Sequence, residues 1–414
     1  MKLAIDFVRA QFPALAGEWV FLDNAGGSQT LKQVADRIHQ YLMTSDVQLG
    51  ASYEISQLAG QRVKAGARVA AELVNAEDEC EVILGSSTTM LMKLLSLSLV
   101  ETFKPGDEVI VTNCDHEANI GPWRNLEKRG MIIKTWRVNP ETLELHLEDL
   151  AALMTEKTRL VALTHASNIL GTINPIKQIA SFVHERGAMI CVDGVAYAPH
   201  ALPDVRQLDV DFYAFSFYKV YGPHYSVLYG KKAHLLRMPG VNHFFIAEND
   251  VPYKFQPGSS NYELSYGITG IGDYLTGLAE VHAGQAGGRE VKGLRDAAAL
   301  AYECFAEHEE GLSARLLDFL NSRSDVRIIG KKESGRSVRM PTVSFVIKNV
   351  KSSTIPPEVD KHKIGIRYGD FYARRLIEDL GLAPQDGVVR VSMVHYNTLE
   401  EMDRLIRVLE TLQG

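Results

Sequence analysis

Cysteine is scarce in this chain of 414 residues: four in all, at positions 80, 114, 191 and 304, with no CxxC spacing. Neither a disulfide framework nor a zinc site follows from that pattern, and no metal is expected. Cys191 lies inside an apolar run and reads as a small core hydrophobe. No apolar stretch reaches the roughly 18 residues that a membrane span needs. The N-terminal MKLAIDFVRAQFPAL reads as an amphipathic helix with interspersed charges rather than a signal peptide, so the expected compartment is the cytoplasm. Long basic runs are absent and the net charge is −7, which argues against nucleic acid or a membrane surface as a partner. Also missing is a GxGxxG after an early strand, the usual signature of a nicotinamide-dependent oxidoreductase. Internal repeats and low-complexity segments are lacking too.

What is present is ordinary globular composition, 46% apolar and 23% charged, in a chain longer than one core usually accommodates. Two domains are expected: a large one over residues 18–287, and a smaller one built from residues 1–17 and 288–414. In the large part short apolar runs alternate with helical patterns. Strands are expected at Glu81–Leu84, Glu108–Asn113, Met131–Arg137, Arg159–Thr164, Ala188–Asp193, Val210–Ser216 and Ser226–Tyr229, with helices at Thr89–Phe103, Ile120–Arg129 and Ile176–Arg186. The pattern predicts an α/β fold with a mainly parallel mixed sheet, whose ligands bind at the carboxyl ends of the strands. The later part reads as α+β, with strands at Val326–Ile329, Pro341–Ile347 and Val388–Met393 and helices near Phe371–Leu380 and at Leu399–Leu412. Asn242–Tyr266 reads as an ordered loop.

Two strand ends carry the most informative pair. Ala188–Asp193 ends in a carboxylate, and Val210–Ser216 ends just before Lys219. An amine and an acid so placed are what pyridoxal 5'-phosphate requires. The lysine holds the aldehyde as a Schiff base, and the acid keeps the pyridine nitrogen protonated so that the ring acts as an electron sink. Gly85-Ser86-Ser87-Thr88 follows a strand and opens a helix, a place where backbone N–H groups and hydroxyls meet an anion, although a plain N-cap has the same sequence.

The chain resembles the class V aminotransferase group of fold-type I pyridoxal-phosphate enzymes, and within it the cysteine desulfurase-like proteins. Its markers, from FLDNA at 21–25 onward, stand in order: GSSTT at 85–89, DHEAN at 115–119, SNILGTINP at 167–175, VDG at 192–194, SFYK at 216–219, QPGSSN at 256–261 and RVSMVHYNT at 390–398. The resemblance implies pyridoxal 5'-phosphate as cofactor, with Lys219 as its covalent anchor and proton shuttle and Asp193 as the pyridinium partner. His116 would stack on the ring, and Asn168 would bond its phenolic oxygen. Ser86, Ser87, Thr88, Ser216 and Tyr218 would line the phosphate site. Ser259 would reach the phosphate of a neighbouring subunit, so a homodimer with shared sites is implied. Arg390 would grip the α-carboxylate of a small amino-acid substrate, with Arg367 and Asn24 nearby.

Departures from the family pattern bear on the reaction. Desulfurases of this group carry a persulfide-forming cysteine on the loop that here reads Arg367-Tyr368-Gly369-Asp370-Phe371-Tyr372, and Tyr372 falls about where it would sit. The family's DGAQ is Asp193-Gly194-Val195-Ala196, and the histidine before the lysine is Tyr218. A phenol carries no persulfide. The expected activity is therefore a β-elimination or C–S lyase-type reaction on an α-amino acid. Transamination, epimerisation and a non-catalytic cofactor-binding role are the alternatives.

Overall fold

A seven-stranded sheet forms the larger half of the molecule. The structure, a computed structural model, describes residues 2–285 and 291–412. In chain order the strands are β1 (Val20–Phe21), β2 (Val82–Gly85), β3 (Glu108–Thr112), β4 (Ile132–Trp136), β5 (Thr158–Thr164), β6 (Met189–Asp193), β7 (Phe212–Ser216) and β8 (Ser226–Gly230). The large sheet runs β2-β8-β7-β6-β5-β3-β4; β4, β3, β5, β6 and β7 are parallel, and β8 is antiparallel to both β7 and β2. Strands β3 and β7 are buried at every residue, because helices cover both faces of the sheet. That two-sided burial explains why the strands read as apolar runs rather than alternating ones.

The smaller half holds β9 (Val326–Ile328), β10 (Thr342–Ile347), β11 (Ile364–Gly365), β12 (Arg367–Gly369) and β13 (Val388–Ser392). Its four-stranded antiparallel sheet runs β12-β13-β10-β9, and β11 pairs in parallel with β1. The helix Leu294–Ser322 and the closing helix Leu399–Glu410 pack here, the latter opened by a capping box between Thr398 and Glu401.

Differences from the expected elements have local causes. The N-terminal helix covers only Ile5–Ala10; Pro13, lacking an N–H, opens a separate 3-10 turn. The helix expected from Phe371 starts at Arg374, because Phe371 and Tyr372 adopt φ of 49° and 60°. Ile120–Arg129 splits into Gly121–Arg124 and a 3-10 stretch, Asn125–Arg129. The end of the Asn242–Tyr266 segment is helical, at Tyr262–Gly267. Phe12 meets Tyr221 and Tyr274 on one side and His395 and Tyr396 on the other, joining the two halves. Strand β1 then pairs with β11 of the smaller half.

Candidate active site

The carboxyl ends of β6 and β7 open into a cleft. Ser87, Thr88, His116, Asn168, Asp193, Ser216, Tyr218 and Lys219 all line it. They arrive from the ends of five strands, β2, β3, β5, β6 and β7, which is how this topology gathers residues far apart in sequence.

Lys219 closes a 3-10 turn, Phe217–Lys219, immediately after β7. It is 7% exposed, and it has neither a hydrogen bond nor an ion pair among the described residues. Burial, with Arg390 nearby, pushes its ammonium below the ordinary lysine range. Asp193, on the adjacent strand, is pushed above the ordinary carboxylate range by burial, although Val195 N–H donates to its Oδ1 at 2.8 Å. Gly194 is required next to it: a Cβ there would lie 2.2 Å from the Tyr213 ring. Tyr213 cannot retreat easily, since its hydroxyl is 2.9 Å from His165 Nδ1.

The hydroxyl wall comes from three elements. Ser87 caps the helix Thr88–Leu99 by accepting from Met90 N–H, so the first turn stands over the cleft. Thr88 Oγ1 lies 2.8 Å from Ser216 Oγ, which lies 2.9 Å from Ser226 Oγ. Ser226, on β8, was not marked in the sequence; its place opposite Ser216 in the β7–β8 register explains it. Ser86 points the other way in effect: it is exposed and takes no part in the lining.

His116 Nδ1 accepts a hydrogen bond from Ala118 N–H at 3.0 Å, so the neutral ring carries its proton on Nε2. Burial, with the cations Lys219 and Arg390 nearby, holds the imidazole down to about 4. Beneath it, Asp115 accepts from Asn119 Nδ2 at 2.7 Å and from Thr164 N–H at 3.0 Å, tying this loop to β5. Burial pushes that carboxyl up to about 7.

Over the cleft lies the loop after β12. Tyr372 O accepts from Glu117 N–H at 2.8 Å, and the Tyr372 and His116 ring centroids are 5.1 Å apart. Phe371 O accepts from Asn168 Nδ2 at 2.9 Å. Arg390, 2% exposed, donates from Nη1 to Asn168 O at 3.2 Å and from Nη2 to Asp23 Oδ1 at 3.0 Å. Arg367 Nη1 is 3.5 Å from the other oxygen of the same carboxylate. Asn24, by contrast, commits its amide to Phe21 O, Ser392 O and Asn397 Oδ1, and its oxygen to the Tyr396 hydroxyl. Its side chain serves the framework, and the neighbouring Asp23 is the group that meets the arginines. Asp23 was missed in the sequence; the available signal was an acid directly after an apolar strand. Ser259 is exposed and contributes nothing to the cleft of its own chain.

Among the described residues no cluster of histidine, cysteine and acidic side chains is arranged to hold a metal, and no helix is long and apolar enough to cross a membrane. The family model described as "Aminotransferase class-V" matches residues 20–290 and 280–405. The chain is 43% identical to the aminotransferase-like protein FGM3 of Gibberella zeae, over 99% of this chain and 98% of the relative. It is 33% identical to the cysteine desulfurase-like protein ustD of Aspergillus flavus, over 96% and 88%. Among solved structures, the cysteine desulfurase CsdA of Escherichia coli superposes with a TM-score of 0.82 at 25% identity, covering 99% of this chain and 98% of that one. Fold, motif order and near-complete coverage agree: the chain belongs to the class-V aminotransferase family of pyridoxal-phosphate enzymes, and is cysteine desulfurase-like within it.

Proposed function

We propose that the cleft holds pyridoxal 5'-phosphate and that the chain uses it to eliminate a β-substituent from an α-amino acid, a C–S lyase-type reaction. The observation that carries this reading is Lys219, a desolvated amine without a hydrogen-bonding partner among the described residues, in a cleft that also supplies a buried acid and a hydroxyl wall. An unpaired buried ammonium is costly, and covalent uptake by an aldehyde removes the cost. Asp193 suits a protonated ring nitrogen, since a cationic N–H beside it relieves its desolvation. Thr88, Ser216 and the first-turn N–H groups of the helix Thr88–Leu99 suit a phosphate. When bound, the group supplies a sink for the electron pair left at Cα.

The remaining work belongs to the protein. Lys219 Nζ, its basicity lowered by burial, takes the Cα proton. His116, neutral with its hydrogen on Nε2, offers a hydrogen bond to the departing substituent, which takes its proton from the Lys219 ammonium formed in the first step. Arg390 binds the α-carboxylate through its planar fork. Sulfur transfer to the protein lacks a carrier. Tyr372 occupies the loop, and the Cys114 thiol is buried and pushed up to about 12, far from a thiolate nucleophile.

The chain acts as a homodimer in this reading. Gln256 Nε2 donates to Leu84 O, anchoring the loop beside β2, and from there Ser259 extends into solvent, where a second subunit's cleft would meet it.

The test is a visible absorption scan together with an amino-acid screen that follows pyruvate, ammonia, sulfide and alanine. Pyruvate and ammonia are expected in equal amounts from β-substituted substrates. Both are expected to vanish in Lys219→Ala, together with the absorption of the lysine-bound cofactor. Rapid, reductant-dependent sulfide release from L-cysteine with alanine as product would overturn the reading.

A further inference from the structure

The backbone around Asp23 is built to deliver a carboxylate between two arginines. Leu22 N–H donates to Gly365 O at 2.9 Å, Ser392 N–H donates to Leu22 O at 2.7 Å, and Asn24 N–H donates to Ser392 O at 3.3 Å. The segment is thereby stitched between the chain entering β12, which starts at Arg367, and β13, which carries Arg390. Gly26 leaves room for the carboxylate, since a Cβ there would lie 3.0 Å from Asp23 Oδ2.

The two guanidiniums are not equivalent. Arg390 is 2% exposed and Arg367 is 58% exposed. Arg390 is also incompletely satisfied: its Nε is buried and lacks an acceptor, and Asp23 engages only its Nη2. A carboxylate at its best on a guanidinium takes two parallel N–H donors. Asp23 therefore neutralises Arg390 without saturating it, while its second oxygen already faces Arg367.

We propose that Asp23 is a carboxylate gate: it occupies Arg390 in the substrate-free site and passes to Arg367 when an incoming carboxylate takes Arg390. The proposal rests on the reading of Arg390 as the carboxylate anchor. Both end states keep every charge paired, so the exchange avoids a bare buried guanidinium. It also sets a selectivity. A carboxamide or a simple amine brings no negative charge to displace Asp23 from Arg390, and the site remains closed to it.

The test uses the holoenzyme and propionate, which has a carboxylate but no amine for Lys219, followed by calorimetry. Asp23→Asn is expected to tighten propionate binding by about fivefold or more, because the internal competitor is gone. Arg367→Gln is expected to weaken it by a similar factor, because Asp23 then has nowhere to go; Arg367 is exposed, so this variant is informative even where Asp23→Asn fails to fold. In the double variant the Arg367→Gln effect is expected to disappear. Unchanged or weaker binding in Asp23→Asn would overturn the gate, as would an Arg367→Gln loss that persists undiminished in the double variant. Arg390→Lys separates the two levels: propionate binding that survives it rejects the anchor reading itself.

Discussion

The Phe371 ring lies against the guanidinium of Arg390, with 3.7 Å between the arginine Cζ and the ring centroid. The contact exists because Phe371 and Tyr372 both take left-handed backbone angles, which direct one ring onto Arg390 and the other onto His116. Phe371→Leu keeps an apolar side chain there but removes the cation–π attraction, about 0.5–2 kcal/mol. The KM for the amino-acid substrate is expected to rise roughly 3- to 30-fold with a smaller change in kcat. Steady-state kinetics check this, and an unchanged KM would mean that the ring does not hold the arginine.

Left-handed tyrosine is strained, and Tyr372 is 70% exposed, so little burial offsets the strain. Tyr372→Gly is expected to raise unfolding stability by about 0.5–1 kcal/mol while uncovering His116. Urea unfolding reads the first effect and turnover the second. A destabilised glycine variant would show that the ring contributes more than the backbone costs.

Gly194→Ala places a methyl within the Tyr213 ring at 2.2 Å. Overpacking of this kind costs about 1–3 kcal/mol, and the strain falls on the residue next to Asp193. Both lower stability and faster loss of the cofactor on dialysis are expected. Wild-type behaviour in both assays would show that the turn has slack.

The Asp115 carboxyl stands at about 7 in the folded chain, against an ordinary value near 3.8. The folded state therefore holds a proton that the unfolded chain releases. This contribution to stability is full below about pH 4 and is lost as pH rises to about 7. Asp115→Asn removes that dependence. Its stability relative to wild type is expected to improve steadily from pH 4 to 7 by at most about 4 kcal/mol, then level off. Denaturant titrations at several pH values check the slope; a flat difference would place the carboxylate in a solvated setting.

Much of the large sheet was legible because a strand buried on both faces is apolar through its middle, and β3, β5, β6 and β7 keep their charged and small polar residues to their ends. Lys219 and Asp193 stand at or just beyond the ends of such runs, and the structure brings both to one cleft. Local rules also explain why the helix expected from Phe371 starts late, since nothing in the sequence of that loop announces two consecutive left-handed residues.

By itself, then, the sequence determined roughly where the strands lie and which side-chain types stand at their ends, because apolar periodicity and side-chain type are local properties. Only the tertiary structure decided which neighbour of the FLDNA segment meets the arginines. Residues 22–24 hydrogen-bond to Gly365 and Ser392, more than 300 positions away, and that pairing commits Asn24 to the framework and Asp23 to Arg390. A one-residue shift in such pairing would exchange their roles, since successive side chains of an extended segment face opposite sides.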